Sequence, residues 1–461
     1  MSCSMTRSAS AFTAGLDEFL VTSAAADAIT VPLRRPRVRW RIFSLLVAFA
    51  SVLYFQQRSL TIAGERIMPE LSLSQMQIGW LEWAFVLTYT LFQFPGGVLG
   101  QRAGARRALA VTGLLAVLAT VAVPIAPALL SGAGLFVVLL STQLLLGAAQ
   151  APFFPICAGV MESWLPTRRW GLAQGIHTFG GHVGAALAPP ILVFLMQTLG
   201  WQRALFWSAL PPLGLIAVWL WYGRNTPREH QSVSAAELGE LDEVNAPPAD
   251  GSITWRRILR ILVNRDLALL TLSYTGLGYV FFLLSNWSFL YLIQERHFTA
   301  LEGGWLASLP PIGAALGAGL GGGLADQLCK RFGIRWGYLL IPLIAMPLSG
   351  AMLLVAIYSR NPYVAVAALT LSFGALETTE GSYWASTMRI AQADTMAATG
   401  VFNTGSNLGG VIGIPIVAYL SGHHAWNAAF ISGFIVAVVS GAVLIGADPS
   451  RTLTLDAASN D

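Results

Sequence analysis

The chain is 461 residues long, 55% hydrophobic and only 11% charged, with 46 glycines and 15 tryptophans. That is too little charge to cover a water-soluble surface of this size, which excludes an ordinary soluble domain. The net charge of +4 is no argument for nucleic acid as a partner, because the basic residues are distributed loop by loop rather than gathered in a patch. Apolar runs of about 20 residues recur from end to end, each long enough to cross a hydrocarbon core of about 30 Å. An all-α polytopic membrane protein is expected. Assigned alternately, the loops of one side collect roughly 20 Lys and Arg and those of the other about 3 or 4. The populated side, with both termini, is predicted to face the cytoplasm. Cys3, Cys157 and Cys329 are scattered and imply no disulfide.

Residues 1–41 read as a disordered cytoplasmic arm or as an over-long gene start; no sustained apolar core follows a basic start, so they do not read as a cleaved signal. Helix one is predicted at about 42–63 and contains Arg58, too deep to snorkel comfortably to either surface. Either it faces a cavity, or it anchors the outer end of the helix. Helix two, about 78–98, brings Tyr89 to the same depth. Helices three to six follow at about 107–127, 134–160, 171–195 and 203–222; the fourth carries Gln143 and Gln150, the fifth His177 and His182. From 225 to 266 the composition turns to Pro, Glu, Asp, Ser and Arg, a linker in which Ala235–Leu241 reads as a short amphipathic helix on the inner surface.

Helix seven, about 268–293, presents Tyr274 and Tyr279, whose hydroxyls need partners at that depth. Helices eight and nine fall at about 303–325 and 336–358. Helix ten, about 362–386, places Glu377 and Glu380 three residues apart on one face in an apolar span. They face a central cavity, or the helix starts later and they sit in water. Helix eleven, about 396–420, holds Asn403 and Asn407 among glycines, and helix twelve, about 426–447, precedes a tail at 448–461.

Two stretches tie these helices together. Tyr89-Thr-Leu-Phe-Gln-Phe-Pro-Gly-Gly-Val-Leu-Gly-Gln-Arg-Ala-Gly-Ala-Arg-Arg107 ends a helix in a glycine- and arginine-rich turn, and Gly321-Gly-Gly-Leu-Ala-Asp-Gln327 with Lys330 and Arg331 repeats it in the second half. The first resembles the loop between helices two and three of the major facilitator superfamily and, more narrowly, the anion:cation symporter family, carriers of sugar acids and other small carboxylates. The resemblance implies twelve transmembrane helices in two pseudo-symmetric six-helix halves, 42–224 and 267–447. Its function would be transport of a small organic anion by alternating access, coupled to protons, by a monomer without a cofactor.

It also implies roles. Arg58 would contact the substrate carboxylate, with Tyr89, Gln150, His182, Tyr274, Tyr279, Asn403 and Asn407 around it. Gln101, Arg102 and Asp326 would form the inner gate. The chain departs from the family pattern at Phe55, Gln57, Gln101, Gln143 and Gln150, where Tyr or charged residues are usual. A neutral Gln101 is expected to hold the gate less firmly than Asp. Because glutamines cannot titrate, proton coupling would fall to Glu377 and Glu380; the rivals are an uncoupled facilitator or effluxer and a non-transporting sensor on the same scaffold. No His-Glu-x-x-His or Gly-x-Ser-x-Gly pattern occurs, which argues against an enzyme or a metal site.

Overall fold

The computed structural model describes residues 38–241 and 253–453, and no strand occurs among them. Most of the arm expected at 1–41, the middle of the linker and the end of the tail therefore lie outside the described residues. Among the described residues, twelve helical passages make up the bundle. They are α1 (Val38–Glu70), α2 (Gln75–Leu91 and, past a break at Phe92, Gln93–Ala103), α3 (Ala105–Leu129), α4 (Gly132–Gln150 and Phe153–Trp164), α5 (Trp170–Leu199) and α6 (Trp201–Ser208 and Leu210–Tyr222). The second half comprises α7 (Arg265–Gln294), α8 (309–332), α9 (334–358), α10 (Pro362–Thr378 and Glu380–Ala391), α11 (Thr395–Gly422) and α12 (Trp426–Val443).

By length and apolarity alone, nine stretches of the described residues qualify as membrane spans. Two of these nine are double passages: Leu309–Tyr358 turns at Gly333 (φ 77°) and Pro362–Gly422 at Gln392 (φ 47°), and α2 is the twelfth. Gly333 supplies a left-handed turn that a β-carbon would strain. Local chemistry sets other ends. Ser74 and Gln77 form a capping box at the start of α2, and Asn361 caps α10 ahead of Pro362. Large apolar side chains such as Leu118, Leu320 and Leu371 remain exposed on the flanks, as a bundle surrounded by lipid tails requires.

The repeat legible in the sequence is a repeat of packing. A β-carbon at Gly184 would run into the Ser51 carbonyl, seating α5 beside α1; one at Gly278 would meet Ser406, seating α7 beside α11. Gly147 lies equally close to Phe85, joining α4 to α2, and Gly317 to Gly374, joining α8 to α10. Each half is thus built on the same two parallel pairs. The halves then touch each other twice in equivalent ways: Gly97 of α2 against Met396 at the start of α11, and Gly322 of α8 against Gly171 at the start of α5. Small residues let backbones approach, and in lipid such packing carries much of the association energy.

The expected Ala235–Leu241 helix forms at Ala235–Gly239. Glu237 is buried and accepts from the Arg39 backbone N–H (2.9 Å) and Nε (3.2 Å), docking the segment on the start of α1. The more amphipathic linker helix is Trp255–Val263, immediately before α7.

Candidate functional site

A cavity of about 720 Å³ lies between the halves, bordered by α1, α2, α4 and α5 on one side and by α7, α10 and α11 on the other. That is within the size range of small-molecule sites. It runs toward the ends of α1 and α2 remote from the arginine-rich loops, where Thr61 donates to Glu82 (2.9 Å). At the arginine-rich end, hereafter the basic end, it is shut by the Gly97–Met396 and Gly322–Gly171 contacts.

Arg58 opens onto this cavity and forms no hydrogen bond or ion pair with another described residue. A guanidinium within a membrane bundle calls for an anionic partner, and its planar fork fits a carboxylate or sulfonate. Tyr89 stacks on Phe85 (centroids 5.5 Å apart), with Gln57 and Gln93 beside its hydroxyl. Gln57 and Gln143 also face the cavity.

The opposite wall holds the acids. Glu377 and Glu380 both border the cavity at the break in α10, which excludes a position in bulk water. Glu377 is 2% exposed, and its Oε2 lies 2.9 Å from His182 Nε2 on α5, a contact spanning the two halves. Glu380 is tied within its own half: Tyr274 OH donates to it (2.8 Å) and so does Trp384 Nε1 (3.0 Å). Tyr274 in turn stacks on Phe402 at 3.9 Å. A second bridge between halves runs from Asn403 Nδ2 to Gln93 Oε1 (3.0 Å), and Asn407 donates to the Asn403 carbonyl (2.9 Å).

Two expected site residues are not part of this cavity. Gln150 turns into the first half and donates to Gln56 (3.2 Å), whose own amide donates to Thr120 (3.3 Å). Tyr279 leans away against Gly409 and Gly413 and pairs with Ser432 (2.7 Å). In both, the polar tip finds a partner inside its own half. His177 packs between the rings of Phe153 and Phe154 as a buried group outside the cavity.

The residues expected at the inner gate form two related clusters at the basic end. Asp326 accepts from the backbone N–H groups of Gly171 (3.1 Å) and Leu172 (2.8 Å), placing a carboxylate at the α5 N-terminus, where the helix dipole favours it. In the equivalent place Gln101 accepts from Ala397 N–H (3.3 Å) and donates to the Ala393 carbonyl (2.7 Å) and Asp394 Oδ1 (2.8 Å). The carboxylate at the α11 N-terminus is therefore Asp394, gripped by Arg257 through Nη2 (2.8 Å) and Nε (3.1 Å). Arg102 donates to Ile253 of the linker (3.2 Å).

Over residues 45–397 the sequence matches the family model of the Major Facilitator Superfamily. The chain belongs to that superfamily. It is a multi-pass membrane transporter, not an enzyme. It is 26% identical to a probable sulfoacetate transporter of Cupriavidus necator over 84% of this chain and 88% of that one. With a probable galactarate/D-glucarate transporter of Escherichia coli (strain K12) it shares 27% identity over 87% and 93% of the two chains. A D-galactonate transporter of Escherichia coli O6:H1 is 28% identical over 89% and 94%. Among solved structures, the E. coli fucose:proton symporter superposes with a TM-score of 0.64 at 15% identity, covering 88% of this chain and 99% of the other. A proton:xylose symporter superposes at 0.71 and 12% identity over 88% and 95%. These two structures establish the superfamily fold.

Within that fold, sequence reasoning missed Glu82 at the far mouth, as well as the Asp394–Arg257 pair at the basic end. Glu82 sits in Trp80-Leu81-Glu82-Trp83, a lone acid in an apolar helix start, which was a usable signal. Asp394 and Arg257 are 137 residues apart and carry no local sign of their pairing.

Proposed function

We propose that this transporter carries a small organic anion, a carboxylate, sulfonate or sugar acid, across the cytoplasmic membrane by alternating access with proton coupling. The observation that carries the reading is Arg58, a guanidinium without a partner among the described residues, opening into a cavity between two halves. Relatives named for sulfoacetate, galactarate, D-glucarate and D-galactonate all handle small anions, which supports the class. By the excess of positive charge, the basic end and both termini face the cytoplasm, and the structure then corresponds to an outward-open form.

In this reading Arg58 receives the anionic group bidentately while Tyr89, Gln57, Gln143 and Asn407 offer hydrogen bonds to the remainder. The His182–Glu377 and Gln93–Asn403 bridges lie deeper, across the seam that must part when the cavity opens to the cytoplasm. Glu377 is the proton carrier: its partner belongs to the other half, so its environment changes when the halves rock. Glu380, held by two donors of its own half, supports the wall. The neutral Gln57 and Gln143 favour one rival, an uncoupled facilitator.

Uptake into proteoliposomes separates these. With an imposed pH gradient, alkaline inside, labelled sulfoacetate, glucarate or galactonate should accumulate above equilibrium. Equilibration without accumulation would favour the facilitator. Binding to detergent-solubilised protein with no uptake would leave a sensor, and neither binding nor uptake of any small anion would overturn the reading.

A further inference from the structure

The linker helix Trp255–Val263 has three faces rather than two. Ile258 and Ile261 are buried in the protein, and Arg257 beside them clamps Asp394. At helical spacing on another face stand Trp255, Leu259 and Leu262, with Val263 adjoining; Trp255 is 66% and Val263 77% exposed. The third face carries Arg256 and Arg260, both exposed and forming no hydrogen bond or ion pair with another described residue. Only Asn264 separates this helix from α7, a membrane span, so its exposed faces lie at the level where a span leaves the bilayer. Four bare apolar side chains are costly in water, and two unpaired arginines beside them are costly within hydrocarbon. The boundary between acyl chains and acidic headgroups suits both.

We propose that Trp255–Val263 is a lipid-bound latch: its apolar face dips into the leaflet, Arg256 and Arg260 bind the headgroups of anionic phospholipid, and Arg257 transmits that anchorage to the gate. The connection is short. Arg257 holds Asp394 at the N-terminus of α11, Asp394 accepts from Gln101 on α2, and Arg102 next to Gln101 holds the linker at Ile253. Fixing the helix to the leaflet thus ties α2 and α11, one from each half, to a common point. Anionic lipid is expected to favour the form in which the basic end is shut, whatever the cavity carries.

The test uses the full chain in nanodiscs of phosphatidylcholine alone or mixed with phosphatidylglycerol, and needs no transport substrate. Trp255 emission, taken as the difference between wild type and Trp255→Phe, should be quenched by brominated lipid; an unquenched difference signal would overturn the membrane contact. For the gate, Met396→Cys in a background lacking the other cysteines reports opening of the basic end through its rate of maleimide labelling. Phosphatidylglycerol should slow that labelling by about tenfold, and Arg256→Gln with Arg260→Gln should erase the difference between the two membranes. Arg257→Gln should label fast in both. Lipid dependence that survives in the Arg256→Gln, Arg260→Gln variant, or that is missing from wild type, would overturn the latch.

Discussion

The first half presents to the cavity Arg58, Gln57, Gln143 and Tyr89; the second presents Glu377, Glu380, Tyr274 and Asn407. Beneath these lists the backbones repeat. Glycines seat α5 against α1 and α7 against α11 in the same way, and the two contacts that shut the basic end are equivalent pairs. The chemistry does not repeat: a cation with no partner among the described residues stands on one wall, and two buried carboxylates on the other. A repeat can preserve packing, which both halves need to stay closely associated in lipid, while its side chains diverge. On the proposed reading, the anion is held by the first half and the proton by the second.

The most severe way to break that division is Glu377→Gln. The amide keeps a hydrogen bond to His182 but cannot release a proton, so proteoliposomes with an imposed pH gradient should take substrate up to equilibrium and no further. If accumulation persists, the proton is carried elsewhere, with Glu82 or Glu380 as the remaining acids of the cavity. Next comes Arg58→Lys, which keeps the charge and loses the fork. Loss of a charge-assisted bidentate contact, about 1.5–3 kcal/mol, should raise the half-saturating concentration by roughly tenfold to a hundredfold at unchanged membrane abundance. An unaltered uptake curve would move the anion away from the first half.

The equivalence of the gate clusters predicts a smaller effect with a definite sign. From the sequence, an acid at position 101 would be expected to firm the gate. The amide of Gln101, however, makes two donations, to Ala393 and Asp394, that a carboxylate cannot make. Asp326 needs no such donor, because no second acid occupies the start of α5, the helix of the other half that it caps. Gln101→Asp would therefore set a carboxylate against Asp394 and shift the population toward opening at the basic end, by roughly twofold to fivefold. Labelling at Met396→Cys reads the sign directly; slower labelling would mean that the helix dipole of α11 outweighs the repulsion.

How far the sequence disclosed all this depends on the kind of signal. The passages were legible because each needs a long apolar run, and the two halves because the Gly321–Arg331 turn repeats the earlier one. Arg58, Glu377 and Glu380 were legible from cost alone: charge at that depth persists where a cavity receives it. The contacts at the basic end were half legible. Gln101 was recognisable by its place in the loop, but Asp394 and Arg257 meet it only through folding across 293 and 137 residues. Gln150 and Tyr279 show a third limit. Sequence spacing gives the depth of a residue, whereas a small rotation of the helix decides whether its tip enters the cavity or a neighbouring helix.

Those two residues supply the smallest prediction, one on each half. Gln150 and Tyr279 are polar, deep and close behind opposite walls, yet each spends its side chain on a partner in its own half, Gln56 or Ser432. Removing one neutral hydrogen bond of this kind costs about 1 kcal/mol of stability. It leaves the cavity surface as it was, since neither side chain borders the cavity. Gln150→Met and Tyr279→Phe, both close in volume to the originals, should accordingly lower the thermal midpoint by a few degrees, about 2–4 °C for each kcal/mol in a domain of this class. The half-saturating substrate concentration of each should stay within about twofold of wild type, well under the change expected from a lost substrate contact. A large rise in that concentration without loss of stability, in either variant, would mean that the helix bearing it turns during transport and brings the residue into the site.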